Sequence, residues 1–297
     1  MLQQTRVEAV IPYYERFLAR FPNPGQLAAA PAREVLRLWS GLGYYRRARQ
    51  LHAAARAIAR RHAGRFPLEL EALRALPGVG EYTAGAVLSI AAGRPLPAVD
   101  GNAIRVLGRL RGAPAAPAVL RQEALRLISR RRPGEFNQAI MDLGAMVCRP
   151  LRPACPQCPL RRLCRSYPWQ PAAATAKKGV IRAQRLELDY ALWRKGGRIR
   201  LARRPENAAW MPGLWELPAA PEGSGWPVLA EARHSITRYQ IRARLLAAPA
   251  SEPPPRGRWQ AESQLDALPL TGLTRKLLRA FAFRYPENFS CLVPRTS

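Results

Sequence analysis

The sequence predicts an all-α domain that carries a cysteine loop, followed by a smaller α+β domain. Three observations predict it. Up to about residue 185 the apolar residues recur at helical spacing, with Gly and Pro in nearly every gap. Four of the five cysteines fall within seventeen residues, from Cys148 to Cys164. After about residue 186 the pattern turns to alternation broken by turn residues. A length of 297 residues suits two domains, each able to bury a core. The expected boundaries are 1–166 for the first domain with its loop at 148–164, 167–185 for a linker, and 186–297 for the second.

The helices follow in order. Leu2 to Phe21 has apolar residues at Val7, Val10, Ile11, Tyr14, Phe17 and Leu18, with Pro12 expected to kink or restart the helix. Further helices are expected over Ala32–Ser40, Tyr45–His62, Leu68–Ala75, Tyr82–Ala92, Asn102–Leu110, Val119–Ser129 and Phe136–Val147. Tyr167–Arg185 mixes proline, alanine and charge without period and reads as linker. Leu186–Trp193 and Ile199–Arg203 alternate about Gly196–Gly197, which predicts a hairpin. Leu214–Leu217 and Ile236–Leu246 read as extended, Pro253–Pro255 as a loop, and Gly272–Phe283 as a closing helix.

The formal net charge is +28. Such a balance favours a polyanionic partner: DNA, RNA or an acidic membrane surface. Part of it has a blander source, because only Lys177, Lys178, Lys195 and Lys276 are lysines and alanine is abundant. That bias is what a GC-rich genome produces. No apolar run reaches the roughly 18 residues of a membrane helix. The N-terminus also lacks the basic-then-apolar order of a secretory signal. A cytoplasmic, nucleoid-associated monomer is expected.

The cysteines read Cys148-x6-Cys155-x2-Cys158-x5-Cys164, with Cys291 far away. A cytosolic protein seldom uses such a cluster for disulfides. Four thiolates on one short loop can surround a 4Fe–4S cluster, which takes one sulfur per iron. Zinc is the alternative, although four-cysteine zinc sites usually present two C-x2-C pairs and here there is one. Pro153, Pro156 and Pro159 stiffen the loop, and Arg149, Arg152, Arg161, Arg162 and Arg165 surround it with positive charge.

Leu76-Pro77-Gly78-Val79-Gly80 lies between two expected helices. Gly78 and Gly80 would let backbone N–H groups reach a phosphate at the start of the next helix. An ordinary interhelical turn explains this short motif about as well. Its continuation, Glu81-Tyr82-Thr83-Ala84-Gly85-Ala86 and then Val99-Asp100-Gly101-Asn102, adds chemistry. These residues resemble the hairpin and following aspartate of the helix-hairpin-helix DNA glycosylases, which implies that Asp100 faces a sugar, where a carboxylate stabilises the positive charge that builds as the glycosidic bond breaks. Asp100 also suits the N-cap of the helix that follows, and both roles are compatible.

Taken together these motifs resemble those of the helix-hairpin-helix DNA glycosylases, and within them the adenine DNA glycosylases of the MutY family. The resemblance covers nearly the whole chain. It implies double-stranded DNA with adenine opposite 8-oxoguanine or guanine as substrate, a 4Fe–4S cluster on Cys148, Cys155, Cys158 and Cys164, and Asp100 facing the sugar of a flipped nucleotide. Strand-cleaving relatives carry a lysine where Tyr82 stands, and a phenol cannot form their Schiff base. A monofunctional enzyme is therefore implied, although thymine-mismatch relatives also carry tyrosine.

Leu2-Gln3-Gln4-Thr5 and Gly41-Leu42-Gly43-Tyr44-Tyr45 match two further family motifs. They imply that Gln4 and Tyr44 enter the duplex beside the oxidised guanine; the plainer alternative is a solvated glutamine and core aromatics. Gln138, in Phe136-Asn137-Gln138-Ala139, matches a residue that contacts the adenine. Met211-Pro212-Gly213-Leu214-Trp215-Glu216-Leu217-Pro218 resembles the family's NUDIX-like domain, and no glutamate-rich helix follows to hold magnesium. A recognition domain is implied. Its Phe-Ser-His reading loop corresponds to a stretch where Thr237 keeps a hydroxyl but Arg238 stands for histidine.

The resemblance begins in mid-motif. The family's general-acid glutamate lies two places before Met1, and a Pro-Trp-Arg pocket segment lies further upstream. Glu8 sits too far along the helix to replace the acid. A start assigned too late is the first explanation, a silent DNA-binding module the second. As written, the chain is expected to bind DNA weakly and to excise adenine poorly, since general acid–base help is worth roughly 10²–10⁴-fold.

Overall fold

A computed structural model describes residues 1–3, 5–169, 184–208, 210–236 and 238–286. Cys291, Gln4, Thr237 and most of the expected linker lie outside the described residues. The chain divides into two compact units, Ala53–Gly179 and a second one formed by Met1–His52 with Val180–Ser297. Among the described residues no helix is long and apolar enough to cross a membrane.

Every strand of the described residues lies at or beyond Gln184. The N-terminal helices are α1 (Val7–Arg20), α2 (Pro24–Ala29), α3 (Ala32–Trp39) and α4 (Tyr45–Arg61). Helix α1 begins at Val7 and not at Leu2, and it runs through Pro12 without restarting. The ring removes one backbone donor, and the carbonyl it strands belongs to Glu8, an exposed residue that water can serve. Helix α2 escaped the periodicity because it is six residues long. Its signal was in the caps: Asn23 accepts from the Gln26 N–H at 2.9 Å, and Pro24 opens the helix.

In the unit 53–179 follow α5 (Leu70–Arg74), α6 (Glu81–Ala92), α7 (Gly101–Arg111), α8 (Pro117–Leu127) and α9 (Pro133–Asp142). Their shared core includes Ala54, Ile58, Leu73, Leu76, Ala84 and Leu88. The expected helix over Phe136–Val147 changes form part-way. After Asp142 it widens to a π-helical turn, Leu143–Val147, that delivers the chain to Cys148. Gly144 lies in that turn, and a Cβ there would stand 2.6 Å from the Asn102 Cβ. Only glycine fits so close an approach.

The C-terminal part is α+β. Strands β1 (Gln184–Leu192), β6 (Tyr239–Ala247) and β5 (Val228–Ile236) form one sheet in the order β1-β6-β5, with β1 parallel to β6 and β5 antiparallel to it. A second sheet centres on β3 (Arg198–Arg203), which pairs with β2 (Arg194–Lys195), β4 (Trp215–Glu216) and β7 (Arg258–Ala261). The expected hairpin at Gly196–Gly197 forms, with both φ positive as a type I′ turn requires. It joins β2 to β3, whereas the long β1 belongs to the other sheet. Ile236–Leu246, expected as one strand, instead takes in the end of β5, the turn after it and most of β6. Helix α10 (Gly272–Arg284) closes the core with Leu273, Leu277, Leu278 and Phe281 against Leu201, Leu217 and Leu245.

Candidate active site and cluster loop

In the unit 53–179, the hairpin Leu76–Gly80 leads into α6. Gly78 has φ +79°, a left-handed turn that a side chain would strain. Gly80 is the N-cap of α6 and puts no side chain in front of the backbone N–H groups of that helix's first turn. Those donors, with the helix dipole behind them, can receive an anion.

Tyr82, in the first turn of α6, is partly exposed, and its phenol reaches the Met141 sulfur of α9 at 3.4 Å. Its pKa is raised, first by burial and then by the charge of Asp100. The structure thus brings Tyr82 and Asp100 into one electrostatic neighbourhood. Asp100 is the N-cap of α7, and its Oδ1 accepts from the Ala103 N–H at 2.7 Å. That bond fixes one oxygen and leaves Oδ2 available. Capping and chemistry are therefore compatible.

Two residues that the motifs did not single out hold Asp100 in place. Asn137 of α9 is 2% exposed. Its Oδ1 accepts from the Ala98 N–H at 3.0 Å, and its Nδ2 donates to Ser89 Oγ at 2.8 Å and the Leu96 carbonyl at 2.9 Å. The side chain thereby ties α6, α9 and the strand of chain before Asp100 together. Arg105 of α7 donates to Asn102 Oδ1 at 2.8 Å, the Gly144 carbonyl at 2.6 Å and the Cys148 carbonyl at 2.7 Å. Asn102, expected at the DNA, is thus engaged by Arg105. Gln138 is exposed, with its amide 3.2 Å from the Gly134 carbonyl one turn back.

Cys148, Cys155, Cys158 and Cys164 line one pocket with Val106, Leu143 and Leu160. Arg109 crosses its edge, donating to the Cys148 sulfur at 3.4 Å and to the carbonyls of Arg149 at 2.8 Å and Pro150 at 2.7 Å. Its guanidinium also lies 4.4 Å from the centre of the Trp169 ring. The pKa of Cys164 is raised, first by burial, and the other three sulfurs push the same way. All four cysteines are free thiols. Among the described residues no three His, Cys, Asp or Glu side chains are grouped to hold a single metal ion.

The other unit holds the two remaining N-terminal motifs. Tyr44 and Tyr45 divide between the two roles weighed for them. Tyr45 is buried, its hydroxyl accepts from the Gly41 N–H at 3.2 Å, and burial raises its pKa. Tyr44 is 49% exposed and sits at φ +48°, a strained value for an aromatic residue. Arg47 connects it to the first motif. The guanidinium lies 5.0 Å from the Tyr44 ring centre and donates to the Met1 carbonyl at 2.6 Å, to the Gln3 carbonyl, and to Thr5 Oγ1 at 2.9 Å. Met1, Gln3 and Thr5 are therefore anchored beside Tyr44. No sequence motif pointed to Arg47. At the β5–β6 turn, Arg238 stacks over Tyr239 at 5.2 Å, and Trp210 meets the same ring at 4.8 Å.

Comparison with known proteins fits this geometry. Residues 1–130 match the HhH-GPD superfamily of base excision DNA repair proteins. Adenine DNA glycosylase of Mus musculus is 33% identical over 95% of this chain and 70% of its own length. The chain belongs to the adenine DNA glycosylase family. Adenine DNA glycosylase of Homo sapiens is 48% identical over 56% of the chain, a match that spans only 32% of the human protein. A solved structure of a thermostable thymine-DNA glycosylase superposes with a TM-score of 0.53 at 30% identity, over 56% of this chain and 80% of that one. Family members are DNA N-glycosylases, and the all-α part with the α+β part after it agrees with that assignment.

Proposed function

We propose that this chain removes adenine opposite 8-oxoguanine or guanine in double-stranded DNA, by hydrolysis and without cutting the strand, and that it does so slowly because no residue assigned to the site protonates the departing base. The observation that carries the reading is the placement of Tyr82 in the first turn of α6, directly after the glycine hairpin, with the carboxylate of Asp100 at the N-cap of α7. The hairpin amides would hold a phosphate beside the flipped nucleotide. As the bond between C1′ and the base breaks, its electron pair leaves with the adenine. The free oxygen of Asp100 stabilises the cation left on the sugar, and water then adds at C1′. Tyr82 supplies no amine, so no Schiff base forms and the backbone stays intact. Gln138, exposed on the same helix as Met141, is assigned to the adenine edge. Protonation of the departing base is assigned to none of these residues.

Gln4 and Tyr44 are assigned to the gap beside the mispaired purine, and Thr237 with Arg238 to the oxidised base. The domain division is proposed as 1–166, 167–185 and 186–297, with the last a NUDIX-like recognition domain. Site of action is the nucleoid, as a monomer.

Cys148, Cys155, Cys158 and Cys164 are assigned to a 4Fe–4S cluster. The fit rests on four thiols around one pocket. When bound, the cluster fixes the loop that follows the π-helical turn. Iron and sulfide in equal amounts, with no zinc, are expected in the purified protein; zinc alone would overturn the assignment.

A second reading, thymine excision from mismatches, is favoured only by the 30% identity to the thymine-DNA glycosylase. Single-turnover assays on duplexes carrying adenine opposite 8-oxoguanine, adenine opposite guanine, or thymine opposite guanine decide between them. Adenine release that is lost in Asp100→Asn supports the proposal. Thymine release, or release unaffected by that change, would refute it.

A further inference from the structure

In the unit formed by residues 1–52 and 180–297, α3 and α4 share a cleft of about 840 Å³ with β3, β4 and the start of β7. None of the residues assigned above to the reaction or to mispair reading lines it. Its walls carry five arginines against two glutamates. The glutamates are engaged: Glu34 bonds Arg20 at 2.6 Å, while Glu206 meets Arg203 at 2.7 Å and Arg49 at 3.7 Å. Arg33, Arg37 and Arg258 remain, with no ion pair or side-chain hydrogen bond among the described residues. Three cations on one concave surface repel one another unless an anion joins them. The volume falls in the roughly 300–1,000 Å³ range of small-ligand sites, and the half-buried indole of Trp215 lines the same cleft.

We propose that this cleft binds a nucleotide by its phosphates, through Arg33, Arg37 and Arg258. Guanidinium forks match phosphate oxygens two at a time, and three of them exceed what a single carboxylate needs. Trp215 offers a ring face for the base. The occupant is a free nucleoside triphosphate, whose phosphates and base match three guanidiniums and an indole in a cleft of this size; a DNA strand lying across this unit is an outcome of the test.

The test uses the full chain and its triple variant Arg33→Gln, Arg37→Gln, Arg258→Gln. The changed side chains are exposed or half-exposed and unpaired, so the fold should hold, and thermal unfolding checks it. If the triple variant does not fold, the single variants Arg37→Gln and Arg258→Gln are read in the same way. Calorimetric titration with dATP and fluorescence anisotropy with a 30-base-pair duplex at several salt concentrations are the two probes (duplex length about three helical turns). A free-nucleotide site predicts that dATP binding weakens at least tenfold while the duplex is unaffected. Weaker duplex binding with dATP binding unchanged, its salt slope shallower by about 0.9 for each phosphate that the variant no longer neutralises, would mean that the arginines serve DNA and would overturn the proposal. Unchanged dATP and duplex binding in the variants would overturn the proposal.

Discussion

Around Asp100, four polar side chains are fixed by bonds to backbone or to each other: Asp100 to Ala103, Asn137 to Ala98 and Leu96, Arg105 to Gly144 and Cys148, and Asn102 to Arg105. Around Tyr44, one guanidinium, that of Arg47, bonds three residues of the N-terminal segment. Among the described residues its Nε is buried without a hydrogen-bond partner, and burial lowers its pKa. The comparison teaches where each job can be done. A carboxylate that must face a developing cation gains from a frame that cannot shift. A wedge that must enter a stack gains from a segment that one side chain positions and DNA can complete.

The largest effect expected is on chemistry. Asp100→Asn should slow single-turnover excision by about a thousandfold, with little loss of thermal stability because asparagine caps a helix as well as aspartate does. A comparable loss of stability would mean that capping is the main role. Asn137→Ala comes next. It leaves the Ala98 N–H and the Leu96 carbonyl without their partner in a buried site, at a cost of about 2–3 kcal/mol in denaturant unfolding. A loss below half that figure would show the frame to be softer than described.

Arg47→Ala should weaken mispair binding by about tenfold, since the segment before Thr5 would then have to order on binding. Thermal unfolding should barely move. The smallest effect concerns pH. His234 is half-buried near the start of α10, and burial lowers its pKa below the ordinary 6.5, with Lys276 adding to the shift. The fold therefore prefers the neutral ring. Its contribution is fully present above pH 6.5 and is lost as the pH falls through the lowered value. His234→Asn should flatten that part of the stability profile.

How much of this was legible in the sequence depends on the kind of partner each residue has. Asp100, Tyr82 and the four cysteines carry their chemistry in type and spacing, so short motifs exposed them. Asn137, Arg105 and Arg47 bond mainly to carbonyls and amides about 40 residues away, at Ala98, Cys148 and Met1. Backbone groups are the same in every residue, so no pattern of side chains could mark those partners. Strand β5 was missed because its inward row, Ala230, Ala232, His234 and Ile236, is mostly small or polar, so its alternation with the exposed Glu231, Arg233 and Ser235 carries little apolar signal. The π-helical turn was hidden for another reason: one extra residue per turn shifts the apolar period without interrupting it.

The division between a fixed chemical corner and a reading segment anchored through Arg47 is tested most directly by one pair of titrations. The single-turnover rate of adenine release from an adenine–8-oxoguanine duplex is measured against protein concentration for Asp100→Asn and for Arg47→Ala. The division predicts that Asp100→Asn lowers the plateau rate and leaves the half-saturation point in place, while Arg47→Ala moves the half-saturation point and leaves the plateau. Both changes acting on the same parameter would contradict it.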